Sequence, residues 1–110
     1  MSIIIKNKET LLFDDFKFKC AVGKKGFSKN KKEADFKTPI GNFELGDIYY
    51  RPDRVQKPTS KLKINIIKKN MGWCDDPNSK YYNKLIKIKK NFKDGYEKLF
   101  RRDKKYDLLI

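Results

Sequence analysis

Apolar and polar positions alternate in short bursts along most of the chain, and that period of two is the mark of half-buried strands. Residues 2–6, SIIIK, and 10–13, TLLF, predict two strands joined by a Lys-Asn-Lys-Glu turn as a hairpin. Over residues 16–22 the pattern sets Phe16, Phe18, Cys20 and Val22 on one face and Lys17 and Lys19 on the other, so a third strand with a buried aromatic face is expected. Gly23 and Gly26 mark a turn, and residues 28–35 read as a polar loop. In DFKTPIGNFEL, Pro39 fixes its own φ and holds Thr38 extended, Gly41 permits close packing or an unusual dihedral, and Phe43 and Leu45 resume the alternation. This reads as a loop feeding a strand.

Further along, residues 48–50 and the alternating Leu62, Ile64 and Ile66 predict strands on either side of an irregular, proline-containing crossing, RPDRVQKPTSK. Lys-Asn-Met-Gly reads as a turn and GWCDDPNSKYYN as a loop. Residues 85–88 read as a short strand, residues 94–102 as one or two helical turns around Leu99 and Phe100, and YDLLI as a last strand. That strand has no turn or partner after it, so the expectation is a single, mainly β domain over residues 1–110, incomplete at its C-terminus.

The chain of 110 residues has room for one modest core. Its net charge of +14 invites a nucleic-acid or anionic-polymer partner. The excess is lysine, however: Arg51, Arg54, Arg101 and Arg102 are the only arginines among 28 basic residues, and bidentate phosphate recognition favours arginine. Lysines spread along the whole chain read first as solvated faces. A basic β module binding nucleic acid through Phe16, Phe18, Tyr49 and Tyr50 stays as the alternative function, and a scaffold fragment that completes its sheet at the YDLLI edge as a third.

The absence of histidine removes the commonest general base, the ordinary Cys-His and Ser-His couples and most zinc sites that are not purely cysteine. No metal and no cofactor is expected. Cys20 and Cys74 belong to no CxxC and are expected as free, mostly buried thiols. The three-Ile run near the start is shorter than the about 7 to 15 apolar residues of a signal-peptide core, and no stretch approaches the roughly 20 of a membrane span.

Three stretches in order, KKEADFKTPIGNFELGDIYYRPDRV, GWCDDPNSKYYN and YEKLFRRDKKYDLLI, resemble the amino-terminal part of the L,D-transpeptidase catalytic domain, the YkuD-type family of bacterial proteins. TPxGxF alone is moderately specific; together with RPDR and WCDDP at these separations it is much stronger. The resemblance implies a β-sandwich, location in the cell envelope or periplasm, and cysteine acyl transfer on peptidoglycan stem peptides. In that chemistry a thiolate attacks a diaminopimelate carbonyl, D-alanine leaves, and an amine or water resolves the thioester.

The family's histidine and its Ser/Thr-x-Gly-Cys signature lie downstream of the equivalent of YDLLI, so no catalytic residue carries over. Cys74 does not inherit the nucleophile's role, because the carboxylates of Asp75 and Asp76 disfavour a thiolate beside them. What carries over is Thr38, Pro39, Gly41 and Phe43 as a structural motif, and Trp73, Asp75, Asp76, Tyr82 and Asn83, with Cys74 and Pro77 in the same loop, as candidates to border the substrate cleft. An aromatic ring beside carboxylates suits an ammonium-bearing peptide; a loop capped by Asp75 or Asp76 on its own amides is the structural alternative. Two departures stand out. Glu33-Ala34-Asp35-Phe36 replaces the family's common Glu-Gly-Asp-Gly, which implies strain at Ala34 and Phe36 if those positions need positive φ, and Tyr96 sits where that branch often has histidine.

Overall fold

The computed structural model describes residues 2–110 and contains eleven short β-strands and, among the described residues, no helix. The expectation of a mainly β chain holds. Chain contacts divide it into two compact units, Met1–Phe43 and Glu44–Ile110.

In the first unit, β1 (Ile3–Ile5), β2 (Thr10–Phe13) and β3 (Phe16–Lys19) form an antiparallel sheet in that order, the hairpin the sequence predicts plus one strand. Strand β3 ends at Lys19 rather than Val22, and its aromatic face is not buried: Phe16 is 63% and Phe18 51% exposed, their rings stacked at 6.2 Å. Lys17 and Lys19 point from the opposite face, as a period of two requires.

The Thr-Pro motif acts as a clasp. Strands β4 (Phe27–Ser28) and β5 (Thr38–Pro39) pair in parallel. Thr38 Oγ1 accepts from the Gly23 amide at 2.8 Å, while the Thr38 amide donates to the Gly26 carbonyl at 2.8 Å. Gly23 is needed because a Cβ there would lie 2.4 Å from the Phe36 carbonyl oxygen. The alternation expected to continue through Phe43 and Leu45 does not become a strand. Both are exposed, and Gly41 serves packing, since a Cβ at Gly41 would lie 3.0 Å from the Phe43 ring.

Ala34 and Phe36 both take left-handed conformations, with φ of 59° and 57°. Asp35 between them locks the turn by accepting from the amides of Lys32 and Lys37 at 2.9 Å each and from Lys31 Nζ at 2.7 Å, and the Lys31 hydrogen bond is the main cause of a carboxyl held far below the usual range. A Cβ in that region is crowded by the following carbonyl. Ala34→Gly and Phe36→Gly are therefore expected to raise stability by roughly 0.5–1 kcal/mol each, after glycine's larger loss of chain entropy is counted. Urea titration of the single and double variants checks this.

The second unit holds two three-stranded sheets. One orders β11 (Leu108–Leu109), β6 (Ile48–Tyr50) and β7 (Ile64–Ile66), with β6 and β7 parallel and β11 at the edge. The other orders β10 (Tyr96–Lys98), β8 (Met71–Cys74) and β9 (Leu85–Lys87), all antiparallel. Two expectations are corrected here. Met71–Cys74 is the central strand of a sheet and not part of a turn and loop, because the small Gly72 and Cys74 fit a crowded, buried face: a Cβ on Gly72 would lie 3.2 Å from both Ile88 and Tyr96. Residues 94–102 contain β10 and no helical turn, because cross-strand pairing to β8 overrides local propensity. Ile67, Leu99 and Cys74 are the most deeply buried side chains.

Arg51 and Arg54, from RPDR, clamp residues 100–107. Arg51 is 3% exposed; Nε and Nη2 bind the two oxygens of Asp53 at 2.8 and 2.7 Å, and Nη1 donates to the Arg101 carbonyl at 2.7 Å. Its guanidinium lies 3.5 Å from the centroid of Phe100. Arg54 donates to the carbonyls of Arg102 and Asp103 and to Asp107 Oδ1.

Candidate functional site

Within the second unit, residues of its two sheets line an open-sided cavity of about 380 Å³. One wall comes from β8 and β10: the antiparallel register sets Glu97 directly across from Trp73, and Leu99 follows two positions on, so indole, carboxylate and leucine share a face. The other comes from Asp47, Tyr49 and Leu109, where Leu109 pairs with Tyr49. Tyr106, from the clamped loop, closes one side.

The polar groups are arranged around apolar walls. Tyr106 donates its hydroxyl to Glu97 Oε2 at 2.8 Å, and Glu97 Oε1 lies 3.6 Å from Arg101 and 3.5 Å from Lys105. Asp47 accepts from Asn65 Nδ2 at 3.0 Å. Burial and, second, the hydrogen bond to Glu97 push the Tyr106 phenol up to about 12; burial and the Asp47 charge push Tyr49 upward as well. Both phenols thus remain protonated donors at neutral pH. Because folded Tyr106 keeps its proton where the unfolded phenol has lost it, the contribution of this group to stability is constant below pH about 10 and falls between about 10 and 12. Tyr106→Phe is expected to flatten that part of the profile, read by thermal melts across alkaline pH.

Of the residues expected at a substrate cleft, Trp73 lines this cavity, and the carboxylates lining it with Trp73 are Glu97 and Asp47, not Asp75 and Asp76. Asn83 supports it, accepting from the indole Nε1–H at 3.3 Å. Asp76 caps backbone instead, its oxygens accepting from the amides of Asn78 at 3.0 Å and Gly95 at 3.3 Å. Asp75 lies against Gly95, and Tyr82 packs half-buried in the same loop; neither lines the cavity. Thr38, Pro39, Gly41 and Phe43 belong to the first unit, Thr38 and Pro39 in the clasp described above and Gly41 and Phe43 after it.

Sequence reasoning missed Glu97, Tyr106, Tyr49 and Asp47 as a group. The alternation of Glu97 with Leu99 was the available signal, hidden by reading that stretch as helical.

Both cysteines are free. Cys74 is 0% exposed on the face of β8 opposite Trp73, and Cys20 is half-buried with its thiol directed at the Asn7 carbonyl, 3.9 Å away. Neither lines the cavity. Of the aromatic residues named for the alternative function, Tyr50 is 7% exposed, whereas the rings of Phe16 and Phe18 are open to solvent. Among the described residues, no helix is long and apolar enough to cross a membrane.

The model of the L,D-transpeptidase catalytic domain, YkuD, matches residues 2–100. The chain belongs to the L,D-transpeptidase catalytic domain family. That membership accounts for the β architecture and connects the chain to peptidoglycan chemistry. No curated protein and no solved structure matches the chain. As an L,D-transpeptidase domain, the chain displays a formed aromatic and acidic cavity with no cysteine among its lining residues.

Proposed function

We propose that these 110 residues supply the scaffold and a substrate-binding wall of an L,D-transpeptidase domain acting on peptidoglycan stem peptides in the cell envelope, and that they carry out no acyl transfer by themselves. The observation that carries the reading is the position of Trp73 beside Glu97 and Asp47 in the 380 Å³ cavity. An indole face next to carboxylates binds an ammonium group on an apolar stem, and the protonated Tyr49 phenol offers a hydrogen bond to a peptide carbonyl, the Tyr106 hydroxyl being committed to Glu97.

Inactivity follows from the chemistry that acyl transfer needs. A thiolate has to form, attack a carbonyl and be held near donors that stabilise the oxyanion. Here no imidazole exists to take the thiol proton, and the Cys74 sulfur is out of reach of any substrate.

Trp73 is the single tryptophan, so its fluorescence reports directly on the cavity. Titration with a stem tetrapeptide is expected to give a saturable change that weakens in Glu97→Gln, and intact-mass analysis after incubation is expected to show no acyl adduct on Cys20 or Cys74. Absence of any saturable signal would refute the binding wall. A tetrapeptide-derived thioester would refute the inactivity.

A further inference from the structure

The sheet β1-β2-β3 has one face built wholly from apolar side chains. Its register places Ile3, Phe13 and Phe16 in one cross-strand row and Ile5, Leu11 and Phe18 in the next. Ile3 is 45%, Ile5 41%, Phe16 63% and Phe18 51% exposed, so most of the face meets water. A contiguous apolar patch of this kind is uncommon on a chain that stays alone in solution and marks a place of association.

The ends of the same sheet carry opposite charge. The β2–β3 turn presents Asp14 and Asp15; the other end presents Lys6, Lys8 and Lys19, with Glu9 as its one acid, and all six of these side chains are exposed. That polarity selects a partner. Two copies stacked face to face about a two-fold axis along the strands would set lysine over lysine. An axis in the plane of the sheets but perpendicular to the strands sets the lysine end of each copy over the aspartate end of the other. At the roughly 10 Å spacing of packed sheets this is near one Debye length in physiological salt.

We infer that this face is a self-complementary docking surface on which a second copy of the chain packs with its strands reversed. Each strand then lies over its own counterpart, and the interface is isologous. Phe16 and Phe18 of one copy meet Phe18 and Phe16 of the other, forming a four-ring cluster over β3, with Leu11 against Phe13 over β2 and Ile3 against Ile5 over β1. The inference rests on the first unit alone and is independent of what the cavity in the second unit binds.

The footprint is three short strands, smaller than the interfaces of tight dimers, so a weak dimer with Kd roughly 10–100 μM is expected. Sedimentation velocity of the full chain across that range tests it. F16S/F18S changes only exposed side chains and is expected to sediment as a monomer with an unchanged circular dichroism spectrum. D14N/D15K and K6E/K8E are each expected to weaken the dimer by about tenfold. The four changes combined reverse the polarity of the sheet and are expected to restore association, as is mixing the two charge variants. A wild-type chain that stays monomeric, or a dimer indifferent to the charge changes, overturns the inference. So does a monomer that co-sediments with phosphatidylglycerol vesicles through Phe16 and Phe18, which assigns the face to a lipid surface.

Discussion

Arg51→Ala is expected to lower the melting temperature by roughly 10–20 °C, the largest single effect predicted for this chain. The side chain is 3% exposed, and its removal leaves a void over Phe100 and strips the Arg101 carbonyl of its donor. Asp53 loses the partner whose hydrogen bonds, more than its charge, hold its carboxyl below the usual range. Arg51→Lys is expected to recover little, because an ammonium cannot stack flat on a ring and grip two carboxylate oxygens at once. The damage should reach the cavity. With residues 100–107 released from their clamp, the hydrogen bond from Tyr106 to Glu97 loosens, and the ultraviolet titration of that phenol should move from about 12 back toward its ordinary value. A variant that melts like the wild type with Tyr106 unmoved would show that the arginine clamp is decorative.

Gly23→Ala is expected to destabilise by about 3 kcal/mol, at the upper end of overpacking effects. The added methyl would lie 2.4 Å from the Phe36 carbonyl oxygen and 2.7 Å from the Lys37 Cα, both main-chain atoms without a rotamer to yield. Relief requires moving residues 36–38, which breaks the bond from the Gly23 amide to Thr38 Oγ1 and the Lys25 amide's bond to the Phe36 carbonyl. Gly46→Ala is the matched control: nothing lies within 4 Å of its Cβ position, so a change near zero is expected. Chemical denaturation of the two variants side by side separates crowding from any general cost of losing a glycine.

The elements that rest on local signals were legible in the sequence. The β1–β2 hairpin, β6, β7, β9 and β11 follow from alternation and apolar runs, while positive φ at Ala34 and Phe36 was a condition raised only by the family resemblance. What failed was non-local. Strand β8 contains a glycine and runs directly into the loop residues Asp75-Asp76-Pro77; only its two neighbours in the sheet make Met71–Cys74 extended. Strand β10 was lost to a few good helix formers around Leu99. The cavity is the product of these two strands with β6 and β11, so a reading that missed both strands could name Trp73 and not the company it keeps. The buried face expected for β3 shows the opposite failure: alternation tells which side chains share a side, and says nothing about whether anything lies over them.

The contrast between the two thiols has a practical outcome. Cys20 is partly accessible and Cys74 is sealed at 0% exposure beneath the central strand of its sheet. A maleimide will therefore couple first to Cys20, and the second coupling will wait on transient opening of β8. Its rate under native conditions is a clock for how often the heart of that unit breathes.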